Sequence, residues 1–270
     1  MTAVIHPSAI VYSGAELDVD VEVGPYAIVG ANVRLASGVK IGSHAVVDGY
    51  TTVGEGTRIF PFASVGGAPQ DLKYHGEPST LVIGQRNVIR EYVTLHPGTE
   101  SGEMTTIIGD ENLFMVSSHV AHDCVVGSRN VVANGVALAG HVHVGDGAII
   151  GGLAAIHQFS RIGDMAMISG GSMVPKDVPP FAMVQGDRAK LRGINLIGLK
   201  RAGFSREEVS AIKKAYRRLF FQKGNVVELA KSLPEELLEF AAVRRMQTFA
   251  LQTRRGFITP RSIADTDDDI

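Results

Sequence analysis

An aliphatic or aromatic residue returns at every sixth position from Ile108 to Val174 without a miss: Ile108, Phe114, Val120, Val126, Val132, Leu138, Val144, Ile150, Ile156, Ile162, Ile168 and Val174. Glycine often follows it, at Gly109, Gly127, Gly145, Gly151 and Gly163, and a small or β-branched residue sits four positions after it, as at Ser118, Cys124, Val136, Ala148, Ser160 and Ser172. A helix of 3.6 residues per turn cannot keep every sixth residue on one side over such a length. A hexapeptide period instead describes a parallel β-helix. Each hexad makes one short strand and a turn, three hexads close a triangular coil, and residue i stacks under residue i+18. Large aliphatics fill the interior corners, and each coil hydrogen-bonds only to its neighbours.

The same register opens the chain at Ile5, Val11, Leu17 and Val23 and runs to Val65. It lapses in GGAPQDLKYHGEPST, resumes at Ile83, Ile89 and Leu95, and lapses again in HPGTESGEMTT before Ile108 restarts it. Both lapses read as loops extruded from the coil, near residues 66–80 and 96–107. Long loops in compact folds are usually functional, so Asp71, Lys73 and His75 are candidates to reach over a neighbouring surface. Roughly nine coils at about 4.8 Å each give a prism about 43 Å long.

The repeat is expected to end at VPKDVPPF, where Pro179 and Pro180 forbid a further ladder. Beyond it the pattern is helical. Ser205 and Glu208 form a capping box before REEVSAIKKAYRRLFF, Asn225 can cap NVVELAKSL, and Ser232 with Pro234 starts one long helix stopped at Gly256. The acidic stretch from Ile263 is expected to fray. The organisation is therefore a β-helix over residues 1–190 and a helical domain over 191–270, the helices covering the open end of the coil.

A formal charge of −2 with 20% charged residues gives no sign of a nucleic-acid binder. The high glycine content, 31 residues, suits tight repeated corners. One cysteine, Cys124, falls at an inward position, which rules out an internal disulfide, makes it core rather than nucleophile, and favours a reducing compartment. No apolar run approaches the ~20 residues that span a bilayer. The register begins at Ile5 with no room for a signal peptide, so a cytoplasmic location is expected.

Five of the nine histidines lie between His119 and His157. His122 falls in the hexad of Val120, His141 and His143 in that of Leu138, and His157 in that of Ile156, so these hexads stack on one wall. Three readings are open for such a column. An imidazole can act as general base on a hydroxyl near neutral pH. Three imidazoles could hold zinc, as in a γ-type carbonic anhydrase. Or the column is surface with no chemistry. Asp123 could orient His122, although adjacent strand residues face opposite ways. A single flat wall makes a poor pocket, which argues for a second copy of the prism across a cleft.

The segments QDLKYHGEP, SSHVAHDCVVG, NGVALAGHVHVGD, HQFSRIG, DVPPF and GINLIGLKRAGFSREE together resemble the UDP-N-acetylglucosamine O-acyltransferase family, along the whole chain. The resemblance implies a left-handed parallel β-helix with a C-terminal α-helical domain, assembled as a homotrimer with sites between subunits. It implies transfer of an (R)-3-hydroxyacyl group from phosphopantetheine-linked acyl carrier protein to the 3-hydroxyl of UDP-N-acetylglucosamine, the first step of lipid A synthesis, with no bound cofactor and no metal. His122 then matches the general base, Asp123 its partner and Gly140 the oxyanion donor. Asp71, Lys73, His119, His141, His157 and Gln158 match substrate-contacting positions, as do Asn195 and Arg201 in the tail. Gly170 matches the position that sets acyl length, where glycine leaves room for a long chain. The chain departs from the family's GLKRRGF at Ala202, which removes one cation. Lys190, Arg192, Lys200, Arg206, Lys213, Lys214, Arg217 and Arg218 give the tail a basic surface suited to an acidic carrier protein.

Overall fold

The computed structural model describes residues 2–260. The acidic stretch from Ile263 lies outside them. Short strands, most of two residues, stack at hexad spacing into three sheets of 11, 9 and 8 strands, parallel except for the last strand of the first sheet, which wall a triangular left-handed β-helix. Outside the two loops pairing follows i+18 as far as Val174: Val120 pairs Leu138, Leu138 pairs Ile156, and Ile156 pairs Val174. Every sixth-position residue from Ile108 to Val174 is buried. These aliphatics line one continuous core because consecutive coils place them directly over one another.

Cys124 is fully buried at its inward position and burial pushes its thiol up to about 12, which makes it an inert core residue. Three inward positions carry asparagine instead of a small residue. Asn87 Oδ1 accepts from the Asn112 N–H at 2.9 Å, Asn112 Oδ1 from the Asn130 N–H at 2.8 Å, and Asn130 Oδ1 from the Ala148 N–H at 2.7 Å. This ladder satisfies amides that would otherwise be buried without partners at that corner.

Glycines at the corners serve close approach as much as freedom of φ. A Cβ on Gly109 would lie 2.7 Å from the carbonyl oxygen of Gly127 in the next coil. The left-handed corner positions themselves are often held by other residues, among them Asp123 (φ 58°), His141 (φ 62°) and Phe159 (φ 63°).

The repeat continues one rung past the prolines, contrary to the sequence expectation. Val178 bridges Ile162, and Ala182–Gln185 adds to the first sheet beside Met167–Ile168. Pro179 and Pro180 fall on the corner between these rungs. Pro180 stands two residues after the inward Val178, as Pro25 and Pro61 stand after Val23 and Ile59. The N–H at that corner position has no place in the ladder, so proline costs nothing there.

Lys190–Ile194 turns back antiparallel on Ala182–Gln185, and five helices follow: α1 (Leu196–Arg201), α2 (Arg206–Phe220), α3 (Val226–Lys231), α4 (Glu235–Leu238) and α5 (Ala241–Leu251). The Ser205 and Glu208 capping box is formed, and Asn225 caps α3. The single helix expected after Ser232 is instead two, capped at Pro234 and Phe240, and the second ends at Leu251, ahead of Gly256. An unbroken helix would set Arg244, seven residues on, over buried Leu237. The break lets Val243 and Met246 face the core and leaves the Arg244 guanidinium to cap the carbonyls of Leu238 and Glu239. α5 lies along the coil, with the Arg161 guanidinium 4.1 Å from the Phe249 ring centroid. Among the described residues no helix is long and apolar enough to cross a membrane.

Candidate active site

The corner that follows the second sheet gathers most of the titratable residues singled out in the histidine column. His122 and Gly140 stand two residues after the inward Val120 and Leu138, in consecutive coils, and Asp123 and His141 take the left-handed position beside them. The turn at Asp123 overcomes the alternation of a strand and folds its carboxylate back onto its neighbour: His122 Nδ1 lies 2.8 Å from Asp123 Oδ2. The His122 ring rests on Gly140, where a Cβ would lie 2.6 Å from Cε1 and 2.7 Å from Nε2. Only glycine fits beneath the imidazole. The Gly140 amide, at the same corner position as Pro180, has no acceptor among the described residues. His141 meets His122 edge-on at 5.1 Å and stacks on Phe159 at 4.3 Å.

Both extruded loops fold over this corner. The first brings Asp71 Oδ2 to 3.8 Å from His122 Nε2 within the same chain. Its Lys73 is exposed, with its backbone N–H donating to Asp71 Oδ1, and its His75 is exposed with its N–H on Glu77. The second loop, to which sequence reasoning gave no role, supplies Thr99 and Glu103 to Asp123. Glu77 joins the loops by accepting the Glu100 N–H at 2.9 Å, and this bond is the main cause that lowers its pKa.

Burial pushes the Asp123 carboxyl up, but hydrogen bonds from Thr99, His122 and Glu103 together outweigh it and hold the group below the usual carboxylate range. The ionised carboxylate fixes the proton of a neutral His122 on Nδ1 and leaves Nε2 as the acceptor. Asp123 and the two imidazoles of His122 and His141 place ligand atoms within 4.8 Å of one another. Both oxygens of Asp123 are already taken by those hydrogen bonds, and the convergence of His122, His141 and His157 that a zinc reading asks for is not made. His157 is exposed, with Nδ1 3.1 Å from the carbonyl of Gln158, itself exposed. His143 belongs not to the wall of Leu138 but to the third sheet, between Val125 and Arg161.

His119 lies on the second sheet one strand residue before Val120, its Nδ1 2.7 Å from the Thr94 hydroxyl and its ring edge-on to His96 at 4.9 Å. Gly170 lies across that sheet, at the opposite corner, where a Cβ would stand 3.1 Å from the Gly152 carbonyl oxygen. Asn195 caps α1 and donates to the Met165 carbonyl at 2.9 Å, so its amide is committed to the fold. Arg201 is exposed at the end of that helix, and Ala202 forms its C-cap. Neither Asn195 nor Arg201 contacts the His122 cluster. In the basic tail, Lys200, Arg206 and Lys213 line a groove of about 570 Å³ between α1 and α2, whereas Arg218 is spent on the Ser232 carbonyl.

His96 was not singled out by sequence, because the hexad pattern breaks just after it. Burial, with repulsion from His119 and His122, lowers its pKa to about 4. An unfolded histidine titrates near 6.5, so between those values the unfolded chain binds a proton that the folded chain refuses. Stability in place above pH 6.5 is therefore lost as the pH falls towards 4. His119, His141 and His143, each lowered chiefly by burial, act in the same direction. Melting temperatures measured across this window are expected to fall with pH and to fall less steeply in His96→Leu. An unchanged slope would remove His96 as a titrating group.

A family model described as UDP-N-acetylglucosamine O-acyltransferase, domain 2, matches residues 177–258. The acyl-[acyl-carrier-protein]–UDP-N-acetylglucosamine O-acyltransferase of Thiobacillus denitrificans is 51% identical over 256 residues, covering 95% of this chain and 99% of that protein. The chain belongs to the UDP-N-acetylglucosamine O-acyltransferase family. It is an acyltransferase. Solved structures agree with this membership. One UDP-N-acetylglucosamine acyltransferase superposes with a TM-score of 0.92 at 44% identity, covering 96% of this chain and 99% of that one. That of Campylobacter jejuni gives 0.89 at 40% identity, over 95% and 100%. The superposed regions take in the coil and the helical tail together.

Proposed function

We propose that this acyltransferase moves an (R)-3-hydroxyacyl group from the phosphopantetheine thiol of acyl carrier protein to the 3-hydroxyl of UDP-N-acetylglucosamine, the opening step of lipid A synthesis, with His122 as general base. The observation that carries the reading is the single imidazole held at Nδ1 by an ionised carboxylate, with Nε2 turned towards a second carboxylate 3.8 Å away. That spacing is too long for a hydrogen bond and allows one hydroxyl oxygen to lie within ~2.8 Å of both groups.

The sugar hydroxyl attacks the thioester carbonyl as its proton passes to His122 Nε2, and the Gly140 N–H receives the oxyanion. The tetrahedral intermediate collapses by breaking the C–S bond, and the thiolate regains the proton from the imidazolium. Thiolate is a good leaving group, so neither a covalent enzyme intermediate nor a bound cofactor or metal is required. Asp71, Lys73, His119, His141, His157 and Gln158 contact the acceptor and donor around this corner, and the groove of Lys200, Arg206 and Lys213 receives the acidic carrier protein.

The working unit in this reading is a cytoplasmic homotrimer whose clefts unite this corner with Asn195, Arg201 and Gly170 of other copies. Support comes from the first sheet, whose outward column Val88, Leu113, Val131, Ile149 and Met167 is apolar in register over five coils. Parallel sheets are normally covered on both faces.

Acyl transfer by chelator-treated protein, offered UDP-N-acetylglucosamine and (R)-3-hydroxyacyl carrier proteins of graded length, tests the assignment. Product is expected without added metal, with a preference for long chains where Gly170 leaves room. No product with any donor would overturn the reading.

A further inference from the structure

The second extruded loop does more than interrupt the repeat. It builds a cradle around one carboxylate. Asp123 Oδ2 accepts from His122 Nδ1 at 2.8 Å and from the Thr99 hydroxyl at 2.7 Å, while Oδ1 accepts from the Thr99 N–H at 3.1 Å and the Glu103 N–H at 2.8 Å. Three of the four donors come from the loop HPGTESGEM. Gly102 closes the cradle, since a Cβ there would overlap the Asp123 carboxylate. Thr99 is itself buried and anchored, its carbonyl accepting the Gly102 and Met104 N–H groups at 3.0 and 3.2 Å.

We propose that Thr99 is a positioning residue for acyl transfer, holding the Asp123 carboxylate in the one orientation that orients His122. The proposal rests on the reading of His122 as base. Thr99 and His122 share a single oxygen of Asp123, so the hydroxyl determines where that oxygen stands and with it the plane of the imidazole. The charged and titratable groups around the dyad are Asp71 on the first loop, Glu103 on the second, His96 and His119 on the second sheet, and His141 in the next coil. None of them donates to Asp123 through its side chain. Without the Thr99 hydroxyl, Oδ2 keeps only the bond to His122, and the carboxylate can rotate about its remaining contacts.

Misplacement of a catalytic group by about 1 Å costs on the order of 100-fold. Thr99→Val, which keeps the shape and loses the hydroxyl, is expected to lower kcat roughly 10- to 100-fold with KM for both substrates within about twofold. Thr99→Ser should restore most of the rate, and Thr99→Ala provides a second hydroxyl deletion should the valine variant fold poorly. The deciding measurement is a double-mutant cycle. In an Asp123→Ala background the hydroxyl has nothing left to position, and removing it should cost no further rate. Equal losses in both backgrounds, or a raised KM with kcat intact, would reduce Thr99 to a structural residue and overturn the proposal. Full kcat in Thr99→Val beside an inactive His122→Ala overturns it while leaving the base in place. An active His122→Ala instead removes the base and the proposal with it.

Discussion

His122→Ala is expected to lower kcat by roughly 10²- to 10⁴-fold and to leave the fold intact, because the general-base role proposed for it is worth that much and the ring packs at a corner rather than in the coil. In the proposed role the loss sits in kcat, since a general base acts on a proton that moves only in the transition state. Neither neighbouring imidazole can substitute for it. His141 is stacked flat on Phe159 and presents an edge to His122, and His119 is turned to Thr94 and His96. Steady-state rates of acyl transfer, with circular dichroism and size measurement on the same sample, check the prediction. Activity within a few-fold of the parent would take the proton transfer away from this residue.

Phe114→Ala destabilises the β-helix by about 3–5 kcal/mol. Phe114 is the aromatic member of an otherwise aliphatic column and is fully buried between Ile89 and Val132 of the adjoining coils. Every coil is held to its neighbours by a rigid backbone ladder, so the walls cannot close on the space the ring leaves. Denaturant unfolding of the two proteins gives the difference directly. A loss under about 1 kcal/mol would mean that the coil does contract around small residues. The effect is purely one of packing, since Phe114 faces the interior of the first sheet and His122 stands on a corner beyond the second.

How much of this could be seen in the residues depends on the range over which each interaction acts. The β-helix was legible as far as Val174. A period of six repeated without a miss leaves one geometry for the backbone, and the i+18 pairing of Val120, Leu138, Ile156 and Val174 follows from counting. The capping box at Ser205 and the Asn225 cap were legible because a cap involves residues three positions apart. The end of the repeat was misjudged, since Pro179 and Pro180 break a ladder only where an N–H is needed, and the corner geometry that decides this is not written in the prolines. The single long helix after Ser232 failed similarly, as a choice of core face for Leu237 and Val243 settles the break at Phe240.

The corner itself divides in the same way. From the sequence come the register of His122, Gly140 and His141, and hence their stacking in consecutive coils. The left-handed turn that swings Asp123 back onto His122 was hidden by the ordinary alternation of a strand. Asp71, Thr99 and Glu103 reach the dyad from loops, where no period constrains the chain and position is set by long-range contacts such as Glu77 to Glu100. A repeat pattern specifies which residues share a wall because each hexad meets only its neighbours. Which side chains from the interruptions close over that wall was decided by the tertiary structure alone, since those contacts join segments that local spacing does not relate.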